Sequence, residues 1–309
     1  MRIGMGLLAA AVALAVLPST ATAARPETCA SAPTGDVPVT ITSGGISRTF
    51  LTYVPPGRHR NRPLLLDLHG SSGNGAGQLD YSRMRATADR FGFLVAAPDG
   101  ALPLGGGHAW NIPGVPLTDG SYPPPGAPDD VRYLSDVIDA VAARWCTDSH
   151  RVYSTGFSGG ARMTSLLGCE LAAKIAAIAP ISGLRAGRPG ADGKPDPATC
   201  RPSRPMPIFT VHGTDDPTNP YGDGGPPYWV YGVDAALARW STLDHCAYGP
   251  RTRAISSVLT EISYGGCRAG VRLLRIAGGH HEWPGSPGAV DPGVDVNTVI
   301  WQELSRHRR

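Results

Sequence analysis

The sequence predicts an α/β protein with a mostly parallel central sheet flanked by helices. Short apolar runs at 63–68 and 208–211 suit strands that are covered on both faces. Between such runs lie longer segments, for example 233–243, whose apolar residues recur at helical spacing. A regular alternation of strands and helices is typical of a parallel sheet.

The predicted elements follow one another in a regular order. Strands are predicted at 37–42, 48–54, 63–68, 93–97, 151–155, 176–181, 208–211 and 271–276. Helices are predicted at 79–91, 131–145, 161–171, 233–243 and 294–304. Asp129 and Asp130 precede the second helix, where carboxylates favour a helix N-terminus. The Gly- and Pro-rich loop 101–128 has a length that favours a functional role.

The first residues have the pattern of an export signal. Arg2 is followed by an apolar run at 7–17 and by a small-residue cleavage motif that ends at Ala23. The apolar run is too short to span a bilayer. We therefore expect removal of residues 1–23, secretion without later membrane contact, and a single domain over 24–309. The formal net charge of +3 does not indicate a nucleic-acid partner.

A G-x-S-x-G motif lies between a predicted strand and a predicted helix. This is the setting of a nucleophile elbow, whose tight turn presents a serine at the carboxyl edge of the sheet. Gly156 and Gly160 have no side chains that would clash across the turn. We predict Ser158 as the nucleophile, with an ordinary glycine turn as the alternative. The oxyanion formed on attack needs backbone N–H donors, expected from Gly159 and from the loop 69–71.

A serine nucleophile needs a histidine base and a carboxylate that orients this base. Two downstream strand ends offer such groups on the edge of the sheet that holds the serine. Asp215 and Asp216 follow one predicted strand, and His280 and His281 follow another. Residue types alone do not choose within either pair.

Two further histidines end predicted strands. We expect His69 and His212 to be hydrogen-bonded structural residues near the site. A metal site built from His212, Asp215 and His280 is the alternative, and we do not favour it. Neither a metal nor another cofactor is expected.

Six cysteines in an exported chain predict disulfide bonds, and the lack of a C-x-x-C pair argues against a zinc site. Cys146 and Cys169 flank the predicted strand–turn–helix unit and would meet at its far end. Cys246 and Cys267 flank a hairpin-like segment. The expected bonds are Cys146–Cys169, Cys246–Cys267 and, by elimination, Cys29–Cys200.

Six longer segments carry a family resemblance. They read LDLHGSSGNG, DDVRYLSDVIDAV, RVYSTGFSGGARMTSLLGC, AAIAPISG, VHGTDDPTNPYG and AGGHHEWPG. On these segments, from about residue 63 to 285, the chain resembles the exported feruloyl esterase and polyhydroxybutyrate depolymerase family of α/β-hydrolases. The resemblance implies the α/β-hydrolase fold and the hydrolysis of carboxylic esters.

The resemblance also selects one aspartate and one histidine from the two candidate pairs. Ser158 matches the family nucleophile, and Asp216 matches the aspartate just before the proline of a His-Gly-Thr-x-Asp-Pro pattern. His281 matches the histidine that lies two residues before a tryptophan. Ser71 matches the second oxyanion donor, beside Gly159. One departure is the residue before the matched histidine, which here is a histidine where the family has glycine.

The resemblance is less specific for substrate. Feruloyl esters of plant xylan are the first expectation, and the alternatives are a hydroxyalkanoate polyester or its oligomers and acetylated xylan. Outside hydrolases, an acyltransferase or a non-catalytic polysaccharide-binding protein is possible. Aromatic side chains expected to contact the substrate, with simple packing of the loops as the alternative, are Trp110, Tyr122, Tyr228, Trp229 and Trp283. The expected partner is the ester substrate alone, with a monomer favoured.

Overall fold

The computed structural model describes Met1 and residues 33–57, 61–145 and 147–309. The predicted signal segment 1–23 therefore lies, apart from Met1, outside the described residues. Among the residues described, no helix combines the length and the apolar character needed to cross a bilayer.

The fold is built on a ten-stranded sheet with strand order β1-β2-β4-β3-β7-β8-β9-β12-β11-β10. Its strands are β1 (Gly35–Ser43), β2 (Ile46–Val54), β3 (Arg62–Leu68), β4 (Leu94–Pro98), β7 (Thr147–Phe157), β8 (Ala177–Ile181), β9 (Ile208–Gly213), β10 (Tyr248–Ala254), β11 (Leu259–Gly265) and β12 (Val271–Ile276). The short hairpin of β5 (Leu102–Leu104) and β6 (Gly107–Ala109) stands apart. Strands β4, β3, β7, β8, β9 and β12 run parallel, and antiparallel strands extend both sides. The predicted mostly parallel sheet is confirmed.

Helices cover both faces of the sheet. They are α1 (Gly75–Ser82), α2 (Met84–Phe91), α3 (Asp130–Arg144), α4 (Gly159–Glu170), α5 (Val233–Leu243) and α6 (Val296–Leu304). Buried residues of α3, α4 and α5 form one apolar cluster, and those of α1, α2 and α6 form another. Leu64 and Leu66 belong to the first cluster and Leu65 to the second. The continuous apolar run of β3 thus supplies apolar side chains to the clusters on both faces of the sheet, because successive side chains of a strand point to opposite sides.

The helix predicted at 79–91 is two helices, which is a correction. Arg83 between them has a φ of 56°, in the left-handed region that ends a helix. The Ser82 hydroxyl donates to the buried carboxylate of Asp67 at 2.6 Å and accepts from the Met84 N–H at 3.2 Å. These contacts join the two helices locally and hold the break in place.

The long loop is tied to the sheet by a buried ion pair. Asp130 is fully buried at the start of α3, and its Oδ1 atom accepts from the Arg48 guanidinium at 2.6 Å. Its Oδ2 atom accepts from the backbone N–H of Asn111 at 2.8 Å and of Ala101 at 3.3 Å. Burial raises the pKa of Asp130, and the charge of Arg48 opposes that shift. One carboxylate therefore anchors two points of the loop.

Two of the three predicted disulfides are wrong. Cys169, near the end of α4, is bonded to Cys200, with their Cα atoms 4.9 Å apart. The pairs Cys146–Cys169 and Cys29–Cys200 are thereby excluded. The loop after β8 packs against α4 at Cys169, whereas our prediction assumed that the end of α3 would meet this cysteine. Cys246–Cys267 is present as predicted and joins the ends of the β10–β11 hairpin.

The disulfide pattern can be tested by peptide mapping. Digestion without reduction is expected to give a peptide containing Cys169 linked to one containing Cys200, and reduction should separate them. Replacing both residues by alanine is expected to lower the free energy of unfolding by about 2–4 kcal/mol, because the open chain gains entropy. A linked peptide joining Cys146 to Cys169 would contradict the described connectivity.

Candidate active site

Ser158 lies at a strained turn between β7 and α4. Its φ of 53° and ψ of −111° are unfavourable for a residue with a side chain, which is typical of functional positions. The turn fits against β3 only because two flanking residues are glycine. A Cβ atom on Gly160 would lie 2.0 Å from the Leu68 carbonyl oxygen, and one on Gly156 would lie 2.7 Å from it. The Ser158 N–H donates to the Ile181 carbonyl at 3.0 Å.

Three side chains form a hydrogen-bonded chain at this turn. The Oγ atom of Ser158 lies 2.8 Å from Nε2 of His281, and Nδ1 of His281 lies 2.8 Å from Oδ2 of Asp216. A carboxylate only accepts, so the imidazole proton sits on Nδ1. Nε2 is then free to accept the Ser158 hydroxyl proton, which is the geometry of an activated serine.

The surroundings of Asp216 keep it ionised. Its Oδ1 atom accepts from the backbone N–H groups of Thr218 and Asn219, at 2.9 and 2.8 Å. Nε2 of His212 lies 3.4 Å from Oδ2. Burial alone would raise the pKa of Asp216, but the contacts with His212 and His281 outweigh it and hold this pKa well below its ordinary value. A negative charge therefore faces the imidazole.

Asp215 and His280, the other members of the two candidate pairs, take no part in these hydrogen bonds. Asp215 is exposed, and its side chain accepts from the Thr214 hydroxyl at 2.8 Å. His280 is exposed, and its Nδ1 lies 3.2 Å from the Asp215 carbonyl oxygen. The backbone of His280 is not left-handed, whereas Gly278 has a φ of 72°. A side chain at position 280 is therefore accommodated without backbone strain.

Two backbone amides lie close together beside Ser158. Gly159 is the first residue of α4, so its N–H has no partner within the helix. A Cβ atom on Gly159 would lie 2.9 Å from the backbone nitrogen of Ser71, so the backbone of Ser71 packs directly against Gly159. Such a pair of donors can bind a developing oxyanion.

The loop that carries Ser71 is held by His69 and Trp110. The indole N–H of Trp110 donates to the His69 carbonyl at 2.8 Å, and the two rings stack with centroids 4.8 Å apart. Nδ1 of His69 contacts the Gly70 carbonyl at 2.7 Å, and Nε2 accepts from the Gly100 N–H at 2.9 Å. Burial lowers the pKa of His69 to about 4, so the ring is neutral at physiological pH.

The aromatic residues predicted to contact substrate occupy different environments. Trp110 lines a small cleft together with Ser71 and Gly159. Tyr228 lines a separate, larger cavity, and Tyr122 is 65% exposed on the loop.

The other two predicted aromatic residues are buried in the core. Trp229 donates its indole N–H to the Pro220 carbonyl at 2.7 Å. Trp283 donates its indole N–H to the Asn297 side chain at 2.9 Å. Neither lines the large cavity or the small cleft.

Sequence reasoning missed a cavity of about 650 Å³ beside the site. None of Ser158, Asp216 and His281 lines it. Arg162 lines both this cavity and the small cleft, and its Nη2 atom donates to the Ser71 hydroxyl at 3.2 Å. The sequence signal that could have indicated this cavity was Arg162, a charged residue on the apolar segment directly after the G-x-S-x-G motif.

The chain belongs to the esterase PHB depolymerase family, whose profile matches residues 48–216. The matched stretch contains Ser71, Ser158 and Asp216. The family is one of carboxylic ester hydrolases, in agreement with the resemblance seen in the sequence.

Relatives with assigned names are also esterases. Feruloyl esterase B of Piromyces equi is 32% identical over 73% of this chain and 41% of the relative. The bifunctional acetylxylan esterase/xylanase XynS20E of Neocallimastix patriciarum is 30% identical over 80% of this chain and 32% of the relative. Feruloyl esterase D of Neurospora crassa is 26% identical over 95% of this chain and 94% of the relative. The chain thus spans less than half the length of the first two.

The fold is that of α/β-hydrolases. The solved structure of an acetyl xylan esterase from Aspergillus awamori superposes with a TM-score of 0.59 at 14% identity, over 87% of this chain and 99% of that one. At this identity the likeness establishes the fold alone, and the predicted α/β-hydrolase fold is confirmed.

The reactivity of Ser158 can be tested with a fluorophosphonate probe. Purified protein is expected to gain one probe adduct by intact mass, and Ser158→Ala should gain none. His281→Ala should slow labelling by at least about a hundredfold, because the serine loses its base. His280→Ala is the matched control and should label at the wild-type rate. A slower labelling rate in His280→Ala than in His281→Ala would contradict the assignment of His281 as the base.

Proposed function

We propose that the protein is a secreted serine esterase whose catalytic domain is residues 24–309 and whose export signal is residues 1–23. The observation that carries the proposal is the chain from Ser158 through His281 to Asp216, with 2.8 Å at both contacts. The disulfides Cys169–Cys200 and Cys246–Cys267 support export, because such bonds persist in oxidising compartments.

In the proposed mechanism, Ser158 attacks the ester carbonyl while His281 takes the hydroxyl proton on Nε2. The backbone N–H groups of Ser71 and Gly159 stabilise the oxyanion of the tetrahedral intermediate. His281 then protonates the leaving alcohol, which leaves an acyl group on Ser158. Asp216 keeps the imidazole oriented and stabilises its positive charge in both steps. A water molecule, deprotonated by His281, releases the acid and regenerates the serine.

The proposed substrates are feruloyl esters of plant xylan. Support comes from the names of two relatives, which are feruloyl esterases. The cavity of about 650 Å³ has the size of a small-molecule site and can hold an aromatic acyl group. Tyr228 on its wall offers an aromatic face for such a group.

Acetylated xylan is the second candidate substrate, because one relative is named as an acetylxylan esterase. An acetyl group needs only the small cleft at Ser71 and Gly159, so it would leave the large cavity empty. The cavity therefore favours the larger acyl group. The family description makes a hydroxyalkanoate oligomer a third substrate to test.

The role of Asp216 can be tested with a matched pair of variants. Asp216→Asn is expected to lower kcat by about 10⁴-fold, because an amide favours the wrong imidazole tautomer. Asp215→Asn should stay near the wild-type kcat, because its carboxylate is exposed and contacts no catalytic group. Circular dichroism should report intact folds for both. Equal losses of kcat in the two variants would contradict the assignment of Asp216 as the residue that orients His281.

The substrate proposal can be tested by comparing kcat/KM for methyl ferulate, a hydroxybutyrate trimer and acetylated xylan. Methyl ferulate is expected to be the best of the three, because only its acyl group has an aromatic ring that can stack on Tyr228 in the large cavity. A strong preference for the trimer or for acetylated xylan would reject the feruloyl assignment while leaving the serine esterase intact.

A further inference from the structure

Two consecutive residues at the end of β8 contact the turns that carry Ser158 and Asp216. The Ile181 carbonyl accepts from the Ser158 N–H at 3.0 Å. The Ser182 carbonyl accepts from the Nδ2 atom of Asn219 at 2.6 Å, and Asn219 belongs to the same turn after β9 as Asp216. The proposed nucleophile and the carboxylate that orients its base are thus tied to one short stretch of backbone.

The turn that carries the base contacts the same stretch more weakly. The Ser182 hydroxyl donates to the Glu282 carbonyl at 3.4 Å, and Glu282 directly follows His281. At this distance the hydrogen bond is long and therefore weak. The carbonyl of Ser182, rather than its hydroxyl, makes the stronger connection between this stretch and the site.

The backbone of Ser182 is strained at this point. Its φ of 51° lies in the left-handed region, which is unfavourable for a residue with a side chain and is found most often at functional positions. Its N–H donates to the Val211 carbonyl at 2.9 Å, next to the last paired residues of β8 and β9. A Cβ atom on Gly183 would lie 2.5 Å from the Ser158 carbonyl oxygen. The left-handed turn therefore ends β8 and brings the chain directly onto the start of α4.

Asn219 connects the end of β8 to both oxygens of the Asp216 carboxylate. The Asn219 side chain is fully buried, and its backbone N–H donates to Oδ1 of Asp216 at 2.8 Å. The Asn219 carbonyl oxygen lies 2.8 Å from Nε2 of His212, and that same nitrogen lies 3.4 Å from Oδ2 of Asp216. A shift of Asn219 would therefore disturb the contacts of both carboxylate oxygens.

The side chain of Asn219 has one partner and one unsatisfied atom. A carbonyl only accepts, so the Nδ2 atom of the amide faces Ser182. The Oδ1 atom is buried and has no donor among the residues that the structure describes. An apolar side chain of similar size would avoid the cost of this unsatisfied oxygen. What the amide provides, and an apolar side chain does not, is the hydrogen bond to the Ser182 carbonyl.

We propose that Asn219 is a positioning residue of the esterase. Its side chain holds the turn after β9 against the end of β8, so that the Asp216 carboxylate stays in place against His281. Because Asn219 is fully buried, it acts through Asp216 and not on the substrate. The proposal rests on ester hydrolysis by Ser158, His281 and Asp216, and it adds a residue that sets the geometry of the last of these.

The variant Asn219→Leu tests this role, because it removes the donor at a similar side-chain volume. With 4-nitrophenyl acetate, kcat is expected to fall by about ten- to hundredfold, as for a small displacement of a catalytic group. KM should change by less than about twofold, because a loss confined to the chemical steps leaves substrate binding intact. Thr155→Val is the matched control and should keep the wild-type kcat. It removes another buried donor to a carbonyl of β8, that of Ala179 at 2.7 Å.

A double-mutant cycle shows whether Asn219 acts through Asp216. In the Asp216→Asn background, adding Asn219→Leu is expected to change kcat by less than about twofold, because the carboxylate that Asn219 positions is already absent. Circular dichroism should report an intact fold for each variant. An equal loss of kcat in both backgrounds would show that Asn219 acts independently of Asp216 and would overturn the proposal.

The wild-type protein offers a test that needs no variant. In NMR spectra, the side-chain amide protons of Asn219 are expected to exchange slowly with solvent, because the amide is buried and its donor is engaged. Exchange as fast as that of an exposed asparagine would overturn the proposed contact with Ser182. This measurement decides even where Asn219→Leu fails to fold.

The outcomes separate this inference from the proposed function. If the wild-type protein hydrolyses no 4-nitrophenyl acetate, the serine esterase itself is rejected. If the wild-type protein is active and a folded Asn219→Leu variant keeps the wild-type kcat, only the positioning role is rejected. A loss that appears in KM while kcat is unchanged rejects the positioning role as well, because it would place Asn219 in substrate binding.

Discussion

The site depends on the close contact between the first turn of α4 and the end of β3. At Gly160 the helix backbone approaches the Leu68 carbonyl so closely that no side chain fits. This contact fixes where α4 begins, and hence where the amide of Gly159 points. The loop after β3 starts at the same place, so Ser71 and Gly159 become neighbours. The position of Ser158 and those of the Ser71 and Gly159 amides are thus set by one packing constraint rather than by separate ones.

The second constraint is electrostatic and keeps Asp216 ionised. Asp216 is buried, yet two backbone N–H groups and two histidines favour its ionised form. His212 itself contacts the Asn219 carbonyl at 2.8 Å, so it is oriented by the same turn that it helps to hold. The turn after β9 and the Asp216 carboxylate therefore stabilise each other. His281 contacts a negative charge whose position is already fixed by this turn.

Much of the fold could be predicted from the sequence because most elements have a clear apolar pattern with the period of a helix or of a buried strand. The bounds of α5 and β12 coincide with the predicted 233–243 and 271–276. The break at Arg83 could not be predicted, because it depends on Ser82 meeting Asp67, which belongs to another element. The partner of Cys169 likewise depends on how the loop after β8 packs on α4. Ser158, His281 and Asp216 were chosen through motif and family pattern, whereas the large cavity depends on how α4 meets loop segments that are far apart in the sequence.

The outer strands of the sheet affect whether two copies of the protein can associate edge to edge. Among the residues that the structure describes, strand β1 forms one lateral edge of the sheet and β10 the other, and unpaired edges are templates for pairing with a second chain. Each carries a proline, Pro38 and Pro250, which lacks the N–H that a new strand would need. Arg251 and Arg253 add exposed positive charge to β10. The sheet therefore resists growth by strand addition, which favours solubility at high concentration.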